Sequence, residues 1–133
     1  YKNNQWPEAK NVGVIILGHG SRVKKANLTI SKVIKEIKNN GALKIIEPSY
    51  LQLCSPDLKA SVKKIVEKGC KKIVIVPFFL FMGNHVGRDI PREIEREKKL
   101  YKDVEFVYAK NIGGDHRMSD ITLDCIKEAL KRP

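Results

Sequence analysis

No apolar run in this chain reaches the roughly 18 residues that a membrane-spanning helix needs, and none of it reads as a transmembrane segment. Cysteine is scarce and irregularly placed. Cys54, Cys70 and Cys125 lack metal-ligand spacing and cannot all pair with one another, which points to reduced core thiols in a cytoplasm. Aromatic residues make up only 7% of the chain and are not interleaved with its basic stretches, which argues against a nucleic-acid binder built on base stacking. Neither the G-x-x-x-x-G-K-[ST] pattern nor G-x-G-x-x-G occurs, so neither common nucleotide-binding turn is expected. Residues 1–10 are polar, have no apolar stretch of signal-peptide type, and are expected to form a flexible extension. Internal repeats, linkers and low-complexity tracts are likewise missing.

Acidic residues are in the minority. Fifteen Asp and Glu face 26 Lys and Arg, for a net charge of +11. Such a balance attracts polyanions: nucleic acid, an acidic membrane surface or a polycarboxylate ligand. The lysines are also spread over nearly every helical segment, as on the charged surface of a thermophilic protein. At 133 residues and 42% hydrophobic content, the chain is long enough for one domain with a substantial core.

The stretch at residues 12–22 organises the rest. Val12 to Leu17 is almost wholly apolar and rich in β-branched side chains, the pattern of a strand buried on both faces of a parallel sheet. It breaks at Gly18-His19-Gly20, and Ser21 and Arg22 lead into a segment of helical periodicity. A His between two glycines at the end of a buried strand stands where open α/β sheets bind ligands. Ala26, Ile30, Val33, Ile34 and Ile37 then mark one face of an amphipathic helix ending near Gly41. Leu43 to Glu47 reads as a second strand, and Ser55-Pro56 as a helix start with Ser as cap. Lys72 to Val76 reads as a third strand. Beyond Pro77, Phe78, Phe79, Leu80, Phe81 and Met82 continue apolar into Gly83-Asn84-His85-Val86-Gly87, a second His flanked by glycines after a buried strand. Asp89-Ile90-Pro91 reads as the start of a third helix, Val104 to Tyr108 as the fourth strand, and Met118 to Lys131 as a last helix with Ile121, Cys125, Ala129 and Leu130 inward. Four alternations of strand and helix predict a three-layer α/β/α domain on a four-stranded parallel sheet.

In such a sheet the carboxyl ends of the first and third strands share an edge, so His19 and His85 are placed to converge over one crevice. Two neutral imidazoles bind a first-row divalent metal. Without a thiolate or an obvious third carboxylate they make a poor permanent cage, which suits a site that holds a metal briefly and releases it. His116, in the last loop, is read as a solvated loop residue. Phosphate binding is the competing reading of Gly18–Arg22, since a helix N-terminus with glycines and an Arg cradles anions. No Arg directly precedes His19, as a histidine phosphatase would require.

The patterns Leu17-Gly18-His19-Gly20-Ser21-Arg22, Val76-Pro77-Phe78-Phe79-Leu80 and Gly83-Asn84-His85-Val86-Gly87-Arg88-Asp89-Ile90-Pro91 resemble the class II tetrapyrrole chelatases. More narrowly, the chain resembles the short, single-domain sirohydrochlorin cobaltochelatase (or nickelchelatase) group, over residues 12 to about 131. The segment from Ile112 to Asp120 also resembles the family's approach to its last helix. The resemblance implies insertion of Co²⁺ or Ni²⁺ into sirohydrochlorin without ATP, within cobalamin and other tetrapyrrole biosynthesis. It implies no permanent cofactor, a homodimer, a cytoplasmic setting, and neither membrane nor nucleic-acid partners. His19 and His85 become the metal-binding and catalytic pair. Ser21 and Arg22 are expected to hold substrate carboxylates, and Phe78, Phe79, Leu80, Phe81, Met82, Gly83 and Asn84 to contact the macrocycle. One departure stands out: Gln52 replaces an acid that the family often carries after the second strand, and Glu47 is the nearest candidate to stand in for it. A non-catalytic carrier of metal or tetrapyrrole is the alternative, with phosphoryl transfer behind it.

Overall fold

The computed structural model describes residues 11–41 and 43–132; the expected extension at residues 1–10 lies outside them. The elements run β1 (Val12–Gly18), α1 (Lys24–Asn39), β2 (Ile46–Tyr50), α2 (Leu58–Glu67), β3 (Lys72–Pro77), α3 (Asn84–Leu100), β4 (Glu105–Tyr108), a short 3₁₀ turn (Ile112–Gly114) and α4 (Arg117–Lys131). The strands form one parallel sheet in the order β2-β1-β3-β4, the expected α/β architecture. The order reverses at β1: the chain steps from β1 to β2 on one side and returns to β3 on the other. This is the topological switch point at which ligands bind in open α/β sheets.

The apolar run of β1 is buried from Gly13 onward because helices cover both of its faces. Val14 and Ile16 point toward α1, where they meet Ile30 and Ile34 together with Ile46 and Tyr50 of β2. Ile15 and Leu17 point the other way, into a cluster built by Leu58, Val62 and Ile65 of α2, Ile73 and Ile75 of β3, and Ile90 and Ile94 of α3. Complete burial of each such side chain contributes about 1.5–3 kcal/mol.

Several boundaries differ from the sequence reading, each for a local reason. β2 runs through Pro48 rather than stopping before it. It is an edge strand, where a missing N–H can face outward at no cost to the ladder. The cap of α2 is Asp57, whose carboxylate accepts from the Ala60 N–H at 2.9 Å, rather than Ser55. α3 begins at Asn84, not near Asp89, and carries Pro91 inside it. His85 therefore stands in the first turn of a helix instead of in a loop.

The last helix differs most. Ile121, Leu123, Ile126 and Leu130 are 50–80% exposed and no residue of α4 is buried, so the expected inward face packs on nothing described. Helical periodicity identifies an apolar stripe but not what covers it. On the α1 side of the sheet, Val74 and Val76 are correspondingly only half-buried, and Val107 of β4 lies opposite Val74 in register. Among the described residues no helix is long and apolar enough to cross a membrane.

Hydrogen bonding beyond the strand ends ties the β1 turn to its neighbours. Leu51 N–H donates to the Gly18 carbonyl at 3.0 Å, Gln52 N–H to that of His19 at 3.1 Å, and Phe78 N–H to that of Leu17 at 2.8 Å. Gly20 has φ +97°, and a Cβ there would overlap the Gln52 carbonyl oxygen. Both conformation and contact demand glycine. Gly20→Ala is expected to cost about 1–3 kcal/mol, read as a lowered midpoint in urea unfolding.

Candidate functional site

His19 and His85 reach one surface because β1 and β3 are parallel neighbours: Leu17 pairs with Pro77, so both chains leave the sheet at the same level. The two histidines line a single open cavity of about 360 Å³ together with Leu51, Gln52, Val86, Asp89, Arg92, Glu93 and Arg96. Both imidazoles are exposed, the His85 side chain to 87%, so a solvated metal ion can reach them without any part of the fold opening.

Each ring has a polar neighbour. The Gln52 side-chain nitrogen lies 3.2 Å from His19 Nε2 and 3.4 Å from Nδ1, and Nδ1 lies 3.4 Å from the Gly20 carbonyl. One neutral tautomer satisfies both partners: Nδ1–H donates to Gly20, and Nε2 accepts from the Gln52 amide. His85 Nε2 lies 3.4 Å from Asp89 Oδ2, one helical turn away. A carboxylate against one ring nitrogen orients an imidazole and leaves the other nitrogen for a metal. Among the described residues no group of three or more His, Cys, Asp or Glu is placed to hold a metal ion. The imidazoles that open onto the cavity are those of His19 and His85, each with a polar neighbour.

α3 supplies the far wall. Asp89, Arg92, Glu93 and Arg96 follow His85 at i+4, i+7, i+8 and i+11, one stripe of the helix. Glu93 is half-buried. Desolvation pushes its carboxyl above the usual range; the Arg96 guanidinium opposes this, while Asp57, Asp89 and Glu97 add to it. The sequence reading passed over these four residues because it opened α3 near Asp89. Counted from His85, the helical period brings all of them to one face.

The remaining candidates lie elsewhere. Glu47 is ion-paired to Lys64 and Lys68 at 3.2 and 3.3 Å and does not line the cavity, so it does not supply the acid missing at Gln52. The Ser21 hydroxyl accepts from the Val23 N–H at 3.0 Å, its own N–H is held by Asn27, and neither Ser21 nor Arg22 lines the cavity. Phe79 is buried in the core below it, with its N–H donating to Asn111 Oδ1 at 3.0 Å. Phe78 packs toward the α1 side. Leu80 and Phe81 are exposed, Phe81 to 87%, and stand outside both concavities around the start of α3. Met82, Gly83 and Asn84 border the second of these, about 460 Å³, with Gly87 and Arg88. The apolar segment therefore skirts the imidazole cavity and does not floor it. Its path is set by Gly113, whose N–H donates to the Phe79 carbonyl at 3.1 Å and whose missing Cβ admits the Phe79 and Leu80 backbone.

A family model described as CbiX matches residues 13–129. The chain is 34% identical to the sirohydrochlorin cobaltochelatase of Methanopyrus kandleri, over 90% of this chain and 97% of that protein. It is 31% identical to the chloroplastic sirohydrochlorin ferrochelatase of Arabidopsis thaliana, over 89% of this chain but only 52% of that one. The crystal structure of the sirohydrochlorin chelatase SirB from Bacillus subtilis subspecies spizizenii, in complex with cobalt, superposes with a TM-score of 0.80 at 30% identity, covering 88% of this chain and 50% of SirB. This chain thus matches the cobaltochelatase along nearly its whole length and the other two over about half of theirs. The parallel sheet, the paired strand-end histidines and these matches place the chain in the CbiX family.

Proposed function

We propose that this protein is a sirohydrochlorin metal chelatase, inserting a divalent metal, Co²⁺ or Ni²⁺, without ATP. The observation that carries the reading is the opening of His19 and His85 onto one solvent-accessible cavity, in a chain similar along nearly its full length to a sirohydrochlorin cobaltochelatase. The metal enters as a substrate. The two imidazoles replace part of its water shell; the metal displaces the Gln52 amide from His19 Nε2, while the Gly20 carbonyl and Asp89 keep the rings in place. The macrocycle then lies across the cavity, and the metal passes from imidazole to pyrrole nitrogen. Two pyrrole N–H bonds break as the metal–nitrogen bonds form; a ring nitrogen freed of metal accepts one of the protons and solvent water the other. No hydrolysis step is needed: metal–nitrogen bonds replace metal–water and N–H bonds.

A homodimer belongs to the same reading. The support for it is α4, whose apolar residues are exposed, together with a sheet face whose Val74 and Val76 are half-covered. A second copy covers both, bringing two lobes around one macrocycle.

Three outcomes test this function. His19→Ala and His85→Ala are each expected to lower Co²⁺ insertion, followed by the absorption shift of sirohydrochlorin, by about 10²-fold or more, with unchanged circular dichroism. A carrier would bind macrocycle or metal without exceeding the uncatalysed rate. Gln52→Glu places an anionic ligand beside His19 and is expected to tighten Co²⁺ binding about tenfold by isothermal titration. Ile126→Lys on α4 is expected to shift the protein from dimer to monomer in sedimentation equilibrium while its secondary structure is retained.

A further inference from the structure

Six cavity-lining residues come from α3, and metal handling accounts for only two of them, His85 and Asp89. Arg92 and Arg96 stand about 10 Å and about 16 Å farther along the helix axis than His85. Both are exposed. Among the described residues neither forms a hydrogen bond or ion pair, although Arg96 acts electrostatically on Glu93. Like charges one turn apart repel, so the pair is best accommodated with an anion between or upon them. The choice of residue also matters. Lys dominates the basic residues of this chain, yet both basic side chains lining the cavity are Arg. A guanidinium fork matches a carboxylate with two parallel hydrogen bonds, which an ammonium cannot do. Glu93, the acid between them, is half-buried, and among the described residues no ion pair joins it to either fork.

We propose that Arg92 and Arg96 are the specificity-determining residues of the cavity, each binding a peripheral carboxylate of the tetrapyrrole while His19 and His85 face its metal-accepting centre. The proposal rests on the chelatase reading and adds how the macrocycle is chosen and oriented. α3 works as a ruler: the imidazole in its first turn addresses the centre of the substrate, and the arginines two and three turns later address its rim. Tetrapyrroles whose peripheral acetates have been lost are then poor substrates despite an identical central ring.

The test compares wild type, Arg92→Gln, Arg96→Gln and Arg92→Lys against sirohydrochlorin and an analogue with its acetate groups decarboxylated to methyls. Two quantities are read: binding of the metal-free macrocycle by absorption titration, and steady-state Co²⁺ insertion. Each Gln variant is expected to raise the Kd and KM for sirohydrochlorin about tenfold. The kcat and the KM for cobalt stay within about twofold. Wild type favours sirohydrochlorin over the analogue, each Gln variant loses part of that preference, and the Lys variant falls between. Unchanged macrocycle Kd in the Gln variants, or equal losses on both macrocycles, overturns the assignment. If no form inserts metal but the Gln variants still weaken sirohydrochlorin binding selectively, the arginine assignment stands and the chelatase reading falls. If the Gln variants insert metal with an unaltered KM, the chelatase reading stands and the arginine assignment falls.

Discussion

The parallel pairing of β1 with β3 is the constraint on which the rest of this molecule depends. It places Leu17 beside Pro77, so the two chains leave the sheet side by side, one into Gly18-His19-Gly20 and the other toward α3. Parallel strands need crossover connections that lie on the faces of the sheet; α1, α2 and α3 supply the burial of β1, and α3 also supplies a wall of the cavity. The pairing is stabilised chiefly by apolar burial, with Ile15, Leu17, Ile73 and Ile75 sealed beneath α2 and α3. Chemistry at the rim thus rests on a core containing none of the cavity's polar groups.

Beyond the strand ends, the site is held by backbone rather than by a polar network. The Gly18 and His19 carbonyls accept from Leu51 and Gln52, and Gly20 lets the two segments touch. This clasp brings Gln52 to His19. A neutral amide there steadies the ring without adding charge, whereas the carboxylate nearest an imidazole comes instead from Asp89 on α3. The acids and arginines of the cavity stand on the same α3 side of the crevice.

Much of this was legible in the sequence, and the failures have physical causes. The buried run at residues 12–17 and the apolar centre of β3 declared the parallel sheet, and the glycines around His19 declared the turn beyond β1. The start of α3 was not legible: Gly83 and Gly87 suggested a loop and Pro91 suggested a first turn, while the structure places all of residues 84–100 in one helix. That single boundary hid Asp89, Arg92, Glu93 and Arg96 from the site. The apolar segment at 78–82 read as a wall because composition does not reveal direction; Phe79 turns into the core and Phe81 out to solvent. For α4 the stripe was visible and its covering was not, because nothing within the described chain packs on it.

Cobalt X-ray absorption on the Co²⁺-loaded protein tests whether the imidazoles of His19 and His85 together hold one metal ion for the macrocycle. Two imidazole ligands are expected in the wild-type spectrum and one in that of His85→Ala. A wild-type spectrum without imidazole scattering, or one that is identical in the variant, would contradict it.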